Sequence, residues 1–173
     1  VPDYAEAYIS CMSVDDIKQK IKENNLNEKI IVESTSDGVL IKANGISAHA
    51  MQPAVGLNAI QLLIKVLNHL DLAPIEAKQF IDFLSNKLKM EYNGASLGIA
   101  TEDKISGKLT LNTGIIDADE NKVIVRFDIR YPVTIDVNRI IQKFNEIASM
   151  SGAQFSIFQH KPPLYVDKEF PLI

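Results

Sequence analysis

The sequence predicts an α+β fold, two strand–helix–strand halves sharing a mainly antiparallel sheet with helices on one face. Three observations point there. Residues 122–131 alternate apolar and polar side chains over a full strand length. Residues 57–70 carry Leu57, Ile60, Leu63, Ile64, Leu67 and Leu70 at helical spacing, an apolar stripe wide enough to need a core. The two ends also read alike at a shift of 123 residues, Tyr8 with Tyr131, Val14 with Val137, Ile17 with Ile140, Ile21 with Phe144 and Val32 with Phe155.

In chain order, residues 1–9 read as a strand whose start Pro2 confines to an edge. Ser13 caps a helix with Val14, Ile17 and Ile21 on one face and Asp15 and Asp16 in its first turn, near the positive end of the dipole. Residues 29–34 and 39–43 form two strands turned at Asp37-Gly38. A second helix runs over 56–70. Pro74 opens a third, with Ala77, Phe80, Ile81, Leu84 and Leu88 on one face. After a loop at 91–95, strands at 108–113 and 122–131 flank a hairpin loop at 117–121. Asp136 caps a fourth helix bearing Val137, Ile140, Ile141, Phe144 and Ile147, and 154–159 make a last strand before Pro162-Pro163. One domain of 173 residues is expected, with pseudo-repeats over about 1–72 and 96–173, each ferredoxin-like, and a connecting helix over about 74–90.

Composition narrows the function. The net charge is −4 and only three of the 18 basic residues are arginine, which argues against a nucleic-acid partner. The apolar run at 62–67 is broken by Lys65 and ends at Asn68, so no membrane span of roughly 18 apolar residues is present. A lone Cys11 excludes an internal disulfide and is read as a small buried residue. The first residue is Val1, without an initiator methionine or signal peptide, which reads as a piece cut from something longer.

Candidate chemistry rests on few side chains. His69-Leu70-Asp71 has a metal-site spacing, but zinc takes at least three protein ligands and no second acidic or histidine-rich element accompanies it. Ser47 and His49 stand two apart, too close in sequence for a nucleophile and base to align readily. The glycines are scattered, so no phosphate loop is formed. Two residues remain. His49 lies in a loop between a strand and a helix, where a structural hydrogen bond is the plain reading and a functional role the sharper one. Arg130 lies on the polar face of its strand, where an ion pair with Asp128 is the default.

The segment Gly45-Ile46-Ser47-Ala48-His49-Ala50-Met51-Gln52-Pro53, followed by Gly56-Leu57-Asn58-Ala59, resembles a signature of the zinc-dependent aminoacylase, carboxypeptidase and dipeptidase superfamily. Val1-Pro2-Asp3-Tyr4-Ala5-Glu6-Ala7 is similar to the strand that opens that family's lid, or dimerisation, domain. Ser106-Gly107-Lys108-Leu109-Thr110 with Asn112 and Gly114, Ile129-Arg130-Tyr131-Pro132 and Pro163-Leu164-Tyr165-Val166 resemble the PepV-type branch of bacterial dipeptidases. These motifs span nearly the whole chain and keep their order.

The resemblance implies a cytoplasmic dipeptidase whose zinc ions and catalytic glutamate reside in a catalytic domain absent from this chain. It implies that His49 stabilises the oxyanion of the transition state and that Arg130 grips the carboxylate of a dipeptide substrate. The partners implied are the dipeptide and the chain's own catalytic domain, with neither nucleic acid nor membrane. The chain has no Glu-Glu pair, so no metal ligand is expected within it, and the piece alone is expected to be inactive. Two alternatives stay open: a stand-alone ferredoxin-like regulatory or dimerisation module, and the lid of a related deacylase or desuccinylase.

Overall fold

The computed structural model describes residues 1–26, 29–119 and 121–165. The first half is a three-stranded antiparallel sheet built from β1 (Tyr4–Ile9), β2 (Ile30–Ser34) and β3 (Val39–Asn44), with β3 in the middle. Period-two alternation sends Ala5, Val39, Ile41 and Ala43 into the core, while Tyr4, Tyr8 and Ile31 stay on the outer face. Helix α1 (Val14–Glu23) starts where Ser13 Oγ accepts the Asp16 N–H at 3.2 Å, and it buries Ile17 and Ile21. The turn at Asp37-Gly38 closes with Thr35 N–H on the Gly38 carbonyl at 2.9 Å.

Helix α2 (Ala59–Leu67) is central. It buries Ala59, Ile60, Leu63, Ile64, Val66 and Leu67 and packs on β1 and β3, on α3 (Ile75–Leu88) and on β6 (Thr110–Ala118). Each fully buried aliphatic side chain of this kind contributes about 1.5–3 kcal/mol, so α2 anchors both halves. The expected start at residue 56 moves to 59 because Gly56 ends a 3-10 turn, Leu57 is drawn into a backbone bridge described below and Asn58 is the cap. Helix α3 follows Pro74 and buries Ile81, Leu84 and Leu88.

The second half contains a short hairpin, β4 (Glu102–Asp103) with β5 (Gly107–Lys108), and a long one, β6 with β7 (Val123–Arg130). The short hairpin is absent from the sequence expectation. Helix α4 (Val137–Ser151) begins with Asp136 Oδ1 accepting the Asn138 N–H at 2.9 Å. It buries Ile140 and Phe144, and the Phe144 ring lies 5.6 Å from Phe127 and 5.3 Å from Phe155.

The class is α+β with antiparallel sheets, and α1 and α2 cover one face of the first. Among the described residues the strands form three separate ladders rather than the continuous sheet expected. Helix α2 packs on β1 and β3 and also on β6, and no ladder joins the two strand groups among the described residues. Residues 154–159 form no strand. In the first half β2 pairs only with β3, and the counterpart of β3 at the same shift would begin at Pro162-Pro163, which lack N–H donors. At that shift the buried faces of α1 and α4 coincide, Ile17 with Ile140 and Ile21 with Phe144. The strands run one residue out of phase: Tyr8 is 52% exposed whereas Tyr131 packs against the core.

Candidate functional site

The segment bearing His49 is a loop with a pinned neck. Ile46 and Leu57 exchange two backbone hydrogen bonds of 2.9 Å, closing residues 47–56 into a loop whose Pro53–Val55 turn packs on β6. Glycine at the neck is a matter of space. A Cβ on Gly45 would sit 2.2 Å from the Leu57 carbonyl oxygen, and one on Gly56 would sit 2.6 Å from that of Ile46. Inside the loop Gln52 N–H bonds the His49 carbonyl at 2.9 Å, and Pro53–Val55 form a single 3-10 turn.

His49 is exposed at the tip of this loop. Its Nδ1 accepts the Met51 backbone N–H at 3.2 Å. A neutral imidazole whose Nδ1 accepts carries its proton on Nε2, so the bond leaves an outward Nε2–H as a donor. The structural hydrogen bond that a loop histidine would have by default is thus present, and it fixes the tautomer.

Beneath the loop, Asn58 caps α2 and ties it to β6. It is fully buried, with Oδ1 accepting the N–H groups of Ile60 (2.9 Å) and Gln61 (3.2 Å). Its Nδ2 donates to Asn112 Oδ1 at 3.0 Å and to the Thr113 carbonyl at 2.8 Å. Two residues before Asn112 on the same strand face, Thr110 Oγ1 donates to the Ala50 carbonyl at 3.2 Å.

Arg130 ends β7 directly opposite Thr110 in the ladder, and Asp128 stands opposite Asn112. Directly opposed residues point to the same face. Arg130 and the His49 loop therefore meet the same face of the β6–β7 pair. Arg130 Nε bonds Asp128 Oδ1 at 3.2 Å with both side chains substantially exposed, which is the expected default ion pair. The contact uses Nε, and among the described residues neither Nη makes a hydrogen bond.

The short hairpin buttresses the Arg130 end of the strand. Asp103 Oδ1 accepts the backbone N–H groups of Ile105, Ser106 and Gly107 and the Ser106 hydroxyl, while Oδ2 accepts the Thr134 N–H and hydroxyl. The Ser106 backbone N–H above all holds this carboxyl well below the usual carboxylate range; burial, the next largest effect, opposes it, and the Thr134 N–H and the two hydroxyls add to the lowering. Val133 N–H completes the link to Ser106 Oγ at 2.9 Å. Tyr131 Oη meets His160 Nε2 at 2.7 Å, and burial first, with Asp136 nearby, pushes the phenol up from its ordinary value.

The remaining candidates do not assemble. His69 is half-buried just beyond the end of α2, and Asp71 pairs with Lys20 at 3.1 Å. Ser47 Oγ bonds the Val1 carbonyl at 3.4 Å rather than His49. Cys11 is exposed, contrary to the buried position expected, because the connector between β1 and α1 lies on the surface. Among the described residues no group of three or more histidine, cysteine or acidic side chains comes together to hold a metal ion. Two clefts of about 270 Å³ lie elsewhere, between α4 and residues 98–101 and between α2 and α3, and neither is lined by His49 or Arg130. Among the described residues no helix is long and apolar enough to cross a membrane. Val166, the last residue of the Pro163-Leu164-Tyr165-Val166 motif, lies outside the described residues.

Thr110 stands in a quoted motif without a stated role, its partner Ala50 being 60 residues away, and Asp103 is not singled out in the sequence although four of its six bonds are to residues 105–107. Asn58 stood in the signature without a stated role, although an asparagine before an apolar helical stripe is itself a cap signal.

The chain belongs to the family of peptidase dimerisation domains, which matches residues 31–154. It is similar to "Putative dipeptidase YtjP" of Bacillus subtilis (strain 168), 31% identical over 176 residues that cover 100% of this chain and 37% of the relative. It is also similar to "Putative dipeptidase SAR1836" of Staphylococcus aureus (strain MRSA252), 29% identical over 180 residues that cover 100% of this chain and 38% of the relative. The chain thus spans well under half the length of these relatives.

Proposed function

We propose that this chain is the lid of a cytoplasmic, zinc-dependent dipeptidase, one domain whose two halves over 1–72 and 96–173 are related. In this reading His49 supplies a hydrogen bond to the oxyanion that forms at the scissile carbonyl, and Arg130 binds the substrate's terminal carboxylate. Zinc would be held by a catalytic domain outside these residues. The observation that supports the reading is the His49 tautomer: the Met51 N–H on Nδ1 leaves a protonated Nε2 at the tip of a pinned loop. A donor fixed before reaction stabilises developing charge without reorganising, and is worth about 10²–10³ in rate. Arg130, with Nε on Asp128, keeps two Nη donors for a carboxylate, the geometry of a bidentate clamp.

The test uses the full-length protein that carries this domain. His49→Ala is expected to lower kcat by about 10²–10³ with metal content unchanged. Unchanged kcat would sink the role. Arg130→Ala is expected to lower kcat/KM about 10–100-fold on dipeptides with a free C-terminus and far less on their C-terminal amides. Equal losses on both would assign Arg130 to structure instead. Hydrolysis of acylated amino acids in preference to dipeptides would favour the deacylase alternative.

A further inference from the structure

We propose that Thr110 is a positioning residue that fixes the distance between His49 and Arg130, an inference that rests on the functional reading above. Thr110 stands directly across the ladder from Arg130, on the same face. Its hydroxyl donates at 3.2 Å to the carbonyl of Ala50, the residue that follows His49. Among the described residues this is the one hydrogen bond between residues 47–55 and the β6–β7 pair. Two residues along the same strand face, Asn112 receives Asn58, the residue just past the neck of the loop. Thr110 thus holds the loop at Ala50 and Asn112 holds the cap residue that follows it, and the strand carrying them is hydrogen-bonded to the strand carrying Arg130.

The grip sets a length. The Ile46–Leu57 bridge closes the loop, the Val1 nitrogen donates to the Ala48 carbonyl at 2.7 Å, and the Pro53–Val55 turn packs on β6. The Thr110 bond adds to these a direct hydrogen bond to the strand pair, one residue from His49. A substrate held by its carboxylate on Arg130 presents its scissile carbonyl at a defined distance, so His49 must stand at that distance too. A shift of about 1 Å in such a donor can cost as much as 100-fold. Removing the hydroxyl therefore acts on kcat through His49, while carboxylate binding at Arg130 persists.

The experiment compares Thr110→Val, Thr110→Ser, His49→Ala and the Thr110→Val, His49→Ala double variant in the full-length protein on one dipeptide. Thr110→Val keeps the shape and loses the donor. It is expected to lower kcat about 10–100-fold with KM changed less than about three-fold. Thr110→Ser, which keeps the hydroxyl, is expected to restore kcat to within about three-fold of the unsubstituted protein. In the His49→Ala background Thr110→Val is expected to add no further loss, since the group it positions is gone. Hydrogen exchange of peptides covering residues 47–56 should quicken in Thr110→Val and not in Thr110→Ser.

An unchanged kcat in Thr110→Val alongside a large loss in His49→Ala overturns the positioning role and leaves the functional reading standing. An unchanged kcat in His49→Ala overturns both. Equal losses from Thr110→Val with and without His49 make Thr110 structural and overturn the proposal. Should Thr110→Val fail to fold, Thr110→Ala is read against the same outcomes.

Discussion

Asn58 and Asn112, 54 residues apart in sequence, share a buried 3.0 Å hydrogen bond that joins the start of α2 to the middle of β6. Asn58 uses all of its side-chain capacity, two acceptances at Oδ1 and two donations from Nδ2. One side chain therefore caps a helix, docks the second half of the chain on the first, and closes the base of the His49 loop.

Replacing Asn58 separates these duties. Aspartate is as good a helix cap as asparagine but has no donor for Asn112 and the Thr113 carbonyl. Asn58→Asp is therefore expected to destabilise the chain by about 2 kcal/mol or more, through the buried carbonyl left without its partner. Asn58→Ala, which loses the cap as well, should cost about 2–4 kcal/mol. Urea unfolding of the chain measures both. A neutral Asn58→Asp would mean that the cap is all that matters.

Legibility in the sequence followed locality. Ser13 and Asp136 cap their helices where expected because a cap and its receiving N–H lie within three residues. Alternation over β7 marked the strand and its buried face for the same reason. Where an element depends on a distant partner, local pattern misleads. Leu57 looks helical but bridges to Ile46, and residues 154–159 look like a strand but lack a neighbouring ladder among the described residues. The candidate site divides in the same way. His49 and Arg130 stand out by a loop position and a strand face and by the motifs around them, whereas the Thr110 to Ala50 bond spans 60 residues and leaves no periodic signal.

The loop neck predicts an asymmetry among the glycines. At Gly45 a methyl group would lie 2.2 Å from the Leu57 oxygen, 2.9 Å from the Ala59 nitrogen and 2.9 Å from the Pro2 oxygen. All three are backbone atoms, so relief requires opening the Ile46–Leu57 bridge. At Gly114 the nearest atoms would be 3.7 Å away, ordinary contact. Gly45→Ala is expected to cost about 2–3 kcal/mol and Gly114→Ala to change stability by less than about 1 kcal/mol. Denaturant midpoints at constant m-value check the pair. Similar midpoints for the two variants would show that the neck yields without cost.

Asp103 makes stability depend on pH in a definite direction. Its six hydrogen bonds, that of the Ser106 N–H foremost, favour the ionised carboxylate, so its folded pKa lies below the ordinary value of 3.8. A group whose folded pKa is depressed adds stability that is complete above the unfolded pKa and is lost as pH falls through the folded one. The chain should therefore weaken progressively below about pH 5. Asp103→Asn has no charge to titrate, and its amide nitrogen faces either the hairpin N–H groups or those of Thr134. The variant is expected to be less stable than the unsubstituted chain near neutral pH and to lose less on acidification, so that the two unfolding curves converge as pH falls. The hairpin β4–β5 and residues 133–134 should show faster amide exchange in the variant even at neutral pH, since the carboxylate is what joins them. Parallel curves, with the same gap at every pH, would mean that Asp103 acts through shape and not through its charge.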